Sequence, residues 1–364
     1  MKSINELETP AVLVDLDILE KNLKHTADLA RNAGVKLRPH CKTHKSVWLA
    51  KKQLEYGACG ITVAKLSEAE VMVDGGITNI LVAYPIVGKA KLERLSKLMK
   101  RADIIVSSDS VEVGQGLSDL GMELGKKVKL YVDVNSGLQR CGLEPGEETA
   151  ELVKKLVKLP GIEVVGLMTH GGFSYDYKGE ESLRAAAHRE ANAVLKSQKV
   201  LVEAGIEIKE ISVGSTPTSK FIGEMVGVTE VRPGAYVYGD DQQLSTGIIT
   251  EDECAMHVLT TVVSAPRIGS VIVDAGSKTF CSDGCPHREG YGMMKDDHSV
   301  YIHELCEEHG IVKVPAEKKF KIGDRLLFLP NHCCATTNMH EKLYGVRNGM
   351  VERIIKVDAR GKVL

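Results

Sequence analysis

Several short segments of this 364-residue chain carry residue types that could do chemistry together. Arg38-Pro39-His40-Cys41-Lys42-Thr43-His44-Lys45 sets two lysines and two histidines directly behind a short apolar run. A lysine that is partly desolvated beside other cations has its pKa lowered, which frees the amine for imine formation. Alone, the octapeptide reads equally as a solvated basic loop. In Val213-Gly214-Ser215-Thr216-Pro217-Thr218 a glycine lets backbone amides approach an anion, and three hydroxyls add donors. Arg232-Pro233-Gly234-Ala235-Tyr236 supplies a second glycine turn soon after it. Two such turns in succession suit a phosphate, although either alone is an ordinary structural turn. Within Asn135-Ser136-Gly137-Leu138-Gln139-Arg140-Cys141-Gly142, Arg140 could set its guanidinium against an aromatic cofactor ring and tune it as an electron sink. A surface salt bridge is the other reading of that arginine.

The most specific pattern lies near the C-terminus, in Leu329-Pro330-Asn331-His332-Cys333-Cys334-Ala335-Thr336. Residues two apart on an extended segment point to one side, so His332 and Cys334 can share an ion while Cys333 turns into packing. A neutral imidazole with a thiolate suits Zn2+. Two protein ligands leave coordination positions for water and substrate, which is a catalytic arrangement. A lone His-x-Cys is also compatible with core filling.

These residues need elements to hold them. Ala11–Val14 is a compact apolar run, followed by Ile18, Leu19, Leu23, Thr26, Leu29, Ala30 and Ala33 at helical spacing, with Gly34 as the stop. Val35–Leu37 reads as a strand, and the cycle then repeats. Strands are predicted at Gly60–Val63, Ile80–Ala83, Asp103–Val106, Val128–Val134, Val164–Met168 and Ile208–Val213, with amphipathic helices between them. Seven or eight such units in about 230 residues predict an α/β fold, a (β/α)8 TIM-type barrel over residues 10–241. No Gly-x-Gly-x-x-Gly turn follows the first strand, which disfavours a doubly wound dinucleotide fold. Beyond Asp241 short strand-like runs separated by Gly, Pro and Asp predict a C-terminal antiparallel β domain over 242–364, joined by residues 1–9.

Bulk properties narrow the function classes. The formal net charge is -2, with 43% hydrophobic and 26% charged residues, so nucleic acid or an anionic membrane is not the expected partner. No apolar run approaches the roughly 18 to 20 residues of a membrane span, and Met1–Pro10 is polar without a signal-peptide core. Nine scattered cysteines suit free thiols in a reducing compartment. The expectation is a cytoplasmic protein.

Taken in order, the Arg-Pro-His-x-Lys-Thr-His-Lys segment, the Gly-Ser-Thr-Pro-Thr turn, Arg-Pro-Gly-x-Tyr and Pro-Asn-His-x-Cys resemble the D-serine dehydratase / D-threonine aldolase family. These are fold-type III pyridoxal 5'-phosphate enzymes related to alanine racemase. The resemblance runs from Thr9 to about Arg353. It implies a homodimer with active sites at the subunit interface. It also implies that Lys42 is the Schiff-base lysine and that Arg140 faces the pyridine ring. Gly214, Ser215, Thr216, Gly234 and Tyr236 would hold the phosphate, and His332 and Cys334 a divalent metal, Zn2+ or Mn2+. The implied activity is a metal-assisted lyase of small D-β-hydroxy amino acids, leaning to D-serine dehydration. D-threonine aldolase is the alternative, followed by a racemase or a non-catalytic pyridoxal-phosphate carrier. Ala64-Lys65 stands where family members often have glutamine near the cofactor. His170, in His170-Gly171-Gly172 behind a predicted strand, is a candidate catalytic or ring-stacking histidine. The loop Cys281–His287 is metal-like in composition and reads as an interface loop rather than a second metal site.

Overall fold

The computed structural model describes residues 2–364. Eight short strands rich in β-branched residues pair in parallel: Lys36–Leu37, Ile61–Val63, Asn79–Pro85, Asp103–Ser108, Val128–Asp133, Ile162–Met168, Glu210–Val213 and Glu230–Val231. From the second on, each bonds to the next in chain order, and the last pairs with the first, Glu230 opposite Lys36 and Val231 opposite Leu37. A parallel bridge between His40 and Thr62 joins the first strand to the second and closes the barrel. The near-continuous apolar runs follow from burial on both faces, and Val63, Ile80, Val82, Val106, Leu130, Val132, Ile211 and Val213 are fully enclosed. The barrel predicted from the alternating pattern is present. Among the described residues, no helix is long and apolar enough to cross a membrane.

A ten-stranded, mostly antiparallel sheet forms the second layer, and the pairing of Met256–Arg267 with Arg325–Pro330 curls it towards closure. Its own core gathers Val14, Val258, Val262, Phe280 and Phe328, the two phenyl rings meeting edge to face at 6.2 Å. Ala11–Asp15 belongs here, not to the barrel: it runs antiparallel to Met256–Arg267 and parallel to Lys342–Arg347. A short apolar run fits a parallel barrel strand and a doubly covered antiparallel strand equally well, so only its partners decide. Asp15 ends this strand and caps the helix Leu16–Asn32 by accepting from the amides of Asp17 and Ile18. The chain thus passes between the two units without a linker.

His257 lies in that sheet, 6% exposed, with Nε2 unpartnered. Burial, aided by Lys295, pushes its pKa down to about 3. The unfolded chain therefore binds a proton below its ordinary pKa of 6.5 that the folded chain refuses. The stabilisation is full above pH 6.5 and is lost as pH falls towards 3, at up to about 1.4 kcal/mol per pH unit. His257→Gln should flatten the fall in melting temperature between neutral and mildly acidic pH. Equal slopes for the two proteins would assign the acid sensitivity elsewhere.

Candidate active site

Lys42 sits in a single turn, Cys41–Thr43, at the C-terminal mouth of the first barrel strand. His40 caps that turn, its Nδ1 accepting from the Lys42 amide at 3.3 Å. The His40 amide donates to Pro233 O at 2.9 Å, which sets the turn against the Gly234 turn. Gly234 must be glycine for this approach, because a Cβ there would come within 2.9 Å of Thr43 Oγ1 and 3.1 Å of His40 O. The two lysines of the segment then part company. Lys45 is 7% exposed, its Nζ 3.0 Å from Glu68 Oε1 and 3.4 Å from Ala359 O and Lys362 O. Lys42 is half-buried, and among the described residues its Nζ has neither ion-pair nor hydrogen-bond partner.

The Gly214 turn follows the seventh barrel strand, with Gly214 at φ +143°. A Cβ there would strike the Arg232 backbone nitrogen at 2.5 Å. Glu190, on the helix Glu180–Glu203, organises this region and was not singled out from the sequence. It is 0% exposed and accepts from Gly214 N at 2.9 Å, Gly171 N at 2.7 Å and Thr218 Oγ1 at 2.6 Å. Burial raises its carboxyl pKa, against those three hydrogen bonds. One side chain thus ties the His170 loop to the glycine turn. Ser215 Oγ is engaged by Ser174 and Thr218, and Thr216 Oγ1 accepts from the Gly234 amide at 3.3 Å. The hydroxyls counted as anion donors are therefore largely committed to one another, and the Gly214, Ser215 and Gly234 amides also have partners within the turns. Tyr236 is buried, with its hydroxyl accepting from Gln53 Nε2 at 3.0 Å.

Glu190→Ala leaves the buried Gly171 and Gly214 amides unpaired, at a cost of roughly 1–3 kcal/mol each, while the Thr218 hydroxyl keeps Ser215 as a partner. The expected result is a lower melting temperature together with faster loss of bound cofactor on dialysis. Normal retention in a protein that only melts earlier would limit Glu190 to a structural part.

His170 donates Nδ1–H to Gly214 O at 3.0 Å. Burial and the charges of Lys42, Arg140 and Arg232 hold its pKa down at about 3, so the ring is neutral with Nε2 unprotonated. It cannot serve as a proton donor near neutrality. His40 is likewise pushed well down, first by burial and then by Lys42, His170, Arg232 and Arg140. Arg140 is exposed and lines one small cleft with His170, Asn135 and Asp133. The neighbourhood is electropositive, which suits a phosphorylated, ring-bearing cofactor.

The His332–Cys334 segment is not extended. His332 has extended backbone angles, but Cys333–Met339 is a helix, so the alternation argument for pairing them fails. Helix geometry nevertheless brings the two together, His332 at the cap and Cys334 in the first turn, within hydrogen-bond reach. Burial would lower the His332 pKa, but Cys334, Asp240 and Asp283 outweigh it and raise it to about 10. A hydrogen bond from Cys333 and the charges of His332 and Lys42 pull the Cys334 thiol well down, against burial. Cys333 is fully buried, as packing. Cys334 Sγ is 3.1 Å from Thr43 Oγ1, one residue from Lys42, which joins the pair to the lysine turn. Among the described residues no three His, Cys, Asp or Glu side chains converge as a closed metal cage. A thiolate and an imidazole in contact, with coordination positions left over, fit an open divalent-metal site.

Known proteins share both halves. The alanine racemase N-terminal domain family matches residues 14–242, and the serine dehydratase domain family matches 255–346. D-threo-3-hydroxyaspartate dehydratase of Delftia sp. (strain HT23) is 33% identical over 348 residues, covering 91% of this chain and 92% of that one. Two mutants of a D-threo-3-hydroxyaspartate dehydratase have been solved, both at TM-score 0.91. One has a cysteine replaced by alanine and is metal-free, at 31% identity and 98% and 99% coverage of this chain and that one. The other has a histidine replaced by alanine, at 32% identity and 98% and 96% coverage. D-threonine aldolase of Filomicrobium marinum superposes at TM-score 0.93, with 32% identity and 100% of each chain covered. D-serine dehydratase of Dictyostelium discoideum is 28% identical over 375 residues, 95% of each chain.

Proposed function

This chain belongs to the D-serine dehydratase / D-threonine aldolase family of pyridoxal-phosphate-dependent lyases on the alanine racemase fold, and from that membership we propose that it is a divalent-metal-assisted lyase of D-β-hydroxy amino acids, with dehydration of D-serine to pyruvate and ammonia its main reaction. The observation that carries the reading is the 3.1 Å contact between Thr43 and Cys334, which puts a thiolate–imidazole pair beside the turn bearing an unpaired lysine.

Bound pyridoxal phosphate supplies the electron sink that makes the substrate's α-carbon acidic. Lys42 Nζ would anchor it and take the α-proton. Gly214, Ser215, Thr216, Gly234 and Tyr236 would enclose the phosphate. Arg140 would face the ring nitrogen, and neutral His170 would lie at the ring with its orientation fixed by Gly214 O. His332 and Cys334 would hold Zn2+ or Mn2+, a Lewis acid for the substrate's β-hydroxyl. The exposure of Arg140 supports a homodimer in which the partner's β domain covers the mouth. Light scattering that found a fully active monomer would refute that arrangement.

The histidine and cysteine altered in the solved D-threo-3-hydroxyaspartate dehydratase mutants are two residues apart, as His332 and Cys334 are, and this favours elimination. Cleavage of the Cα–Cβ bond of D-threonine to glycine and acetaldehyde is the second reading, supported by the likeness to D-threonine aldolase over the whole chain. Product analysis with D-serine and D-threonine, with Zn2+ or Mn2+ present, separates them. Pyruvate and ammonia from D-serine is the expected outcome; glycine with acetaldehyde from D-threonine, and no ammonia from D-serine, would overturn the assignment.

A further inference from the structure

We propose that Asp283 positions the metal-binding histidine, holding His332 by Nδ1 so that Nε2 is the ring nitrogen presented to the ion shared with Cys334. The proposal rests on the metal reading above and adds the group that fixes its geometry. Asp283 Oδ2 lies 2.6 Å from His332 Nδ1. A carboxylate accepts, so Nδ1–H donates to it, and Nε2 is the nitrogen at which a cation can replace a proton.

The loop that presents Asp283 is clamped from both units. Asn331, next to His332 and 1% exposed, donates through Nδ2 to Asp283 O at 3.0 Å and to Gly290 O at 2.8 Å. Gln242, at the end of the barrel, donates to Gly284 O at 3.0 Å. The chain enters the loop through Cys281 at φ +69°, a left-handed conformation that a side-chain-bearing residue adopts only under constraint. These contacts matter because the Asp283 side chain is 49% exposed, and a free carboxylate there would drift into water. Asp283 is also not a third ligand, since no three such side chains converge among the described residues. Its place is on the far nitrogen of the ring, where a carboxylate fixes ring orientation and strengthens the ligand.

The test uses cofactor-loaded enzyme stripped of metal and titrated with Co2+ alone, read by its thiolate charge-transfer absorption, and with Zn2+ against a competing chelator. Removal of such a carboxylate costs about 10–100-fold in metal affinity, and Asp283→Ala should lose that much and shift the Co2+ spectrum. Asp283→Asn keeps an acceptor for Nδ1–H and should fall between the two, while both variants retain the cofactor's visible absorbance and the melting temperature of metal-free wild type. Wild-type affinity and spectrum in Asp283→Ala would overturn the proposal while leaving the metal reading intact. A folded, cofactor-loaded wild type that binds neither ion would sink the metal reading and this proposal with it. Should Asp283→Ala fail to fold, the near-isosteric Asp283→Asn decides alone, with undiminished affinity counting against the proposal.

Discussion

Borohydride reduction of the cofactor-loaded enzyme will mark Lys42 and no other lysine, and Lys42→Ala will lose both the visible imine absorbance and turnover, the latter by on the order of 10³-fold or more. The argument is competition between two lysines three residues apart. Lys45 is held by the Glu68 carboxylate and two main-chain carbonyls, and its backbone is at φ +49°. An amine held by three such contacts is not free to attack a carbonyl. Lys42 has no such commitment: it is half-buried, and among the described residues its Nζ has neither ion-pair nor hydrogen-bond partner. Lys45→Met should instead behave as the removal of one partner of a buried ion pair, costing roughly 3–5 kcal/mol of stability while the label stays on Lys42. Peptide mapping that found the label on Lys45 would refute the assignment.

Chelation should abolish lyase turnover while leaving the melting transition and the bound cofactor nearly unchanged. A structural zinc in a closed cage contributes on the order of 10 kcal/mol to folding, and its loss unfolds the surrounding unit. Here no three metal-binding side chains converge among the described residues, and the helix that carries Cys334 is already held without an ion: the Cys333 amide donates to Asp240 at 3.0 Å and Thr336 to Phe280 O at 3.0 Å. Cys334→Ala should reproduce the chelated enzyme. Exchange of the substrate's α-proton with solvent should survive in both, since Lys42 is untouched. Full turnover without metal would exclude a catalytic ion, and joint collapse of activity and melting would point to a structural one.

The barrel was legible because parallel strands covered on both faces must be apolar throughout, and those runs recur between amphipathic stretches. Glu230–Val231 escaped notice because it is two residues long and half charged; its glutamate is tolerated inside by pairing with the buried Arg38 at 2.6 Å and by accepting from Ser212 Oγ at 2.6 Å. Glu190 was invisible for a related reason: a lone glutamate in a long amphipathic helix reads as solvated, and its three donors come from loops 19 to 28 residues away. The tie between Asp283 and His332 spans 49 residues, beyond any local pattern, although the loop's composition had drawn attention. The pairing of His332 with Cys334 was anticipated, but from strand alternation where the fold uses a helix cap.

The placement of Ala11–Asp15 has a consequence for how the molecule is made. This strand leaves the ribosome early, yet its partners Met256–Arg267 and Lys342–Arg347 follow roughly 240 and 330 residues later. At about 5–20 residues per second the strand waits many seconds with its edges open. The barrel, whose strands pair with chain neighbours apart from the first and last, can close during that wait; the antiparallel unit cannot, and loops of this span also make its assembly slow. The lysine turn is thus formed before the segment bearing His332 and Cys334 is joined to it, and the contact between Thr43 and Cys334 is made late. Damage to the first fifteen residues should accordingly be felt at the far end of the chain, in the unit synthesised last.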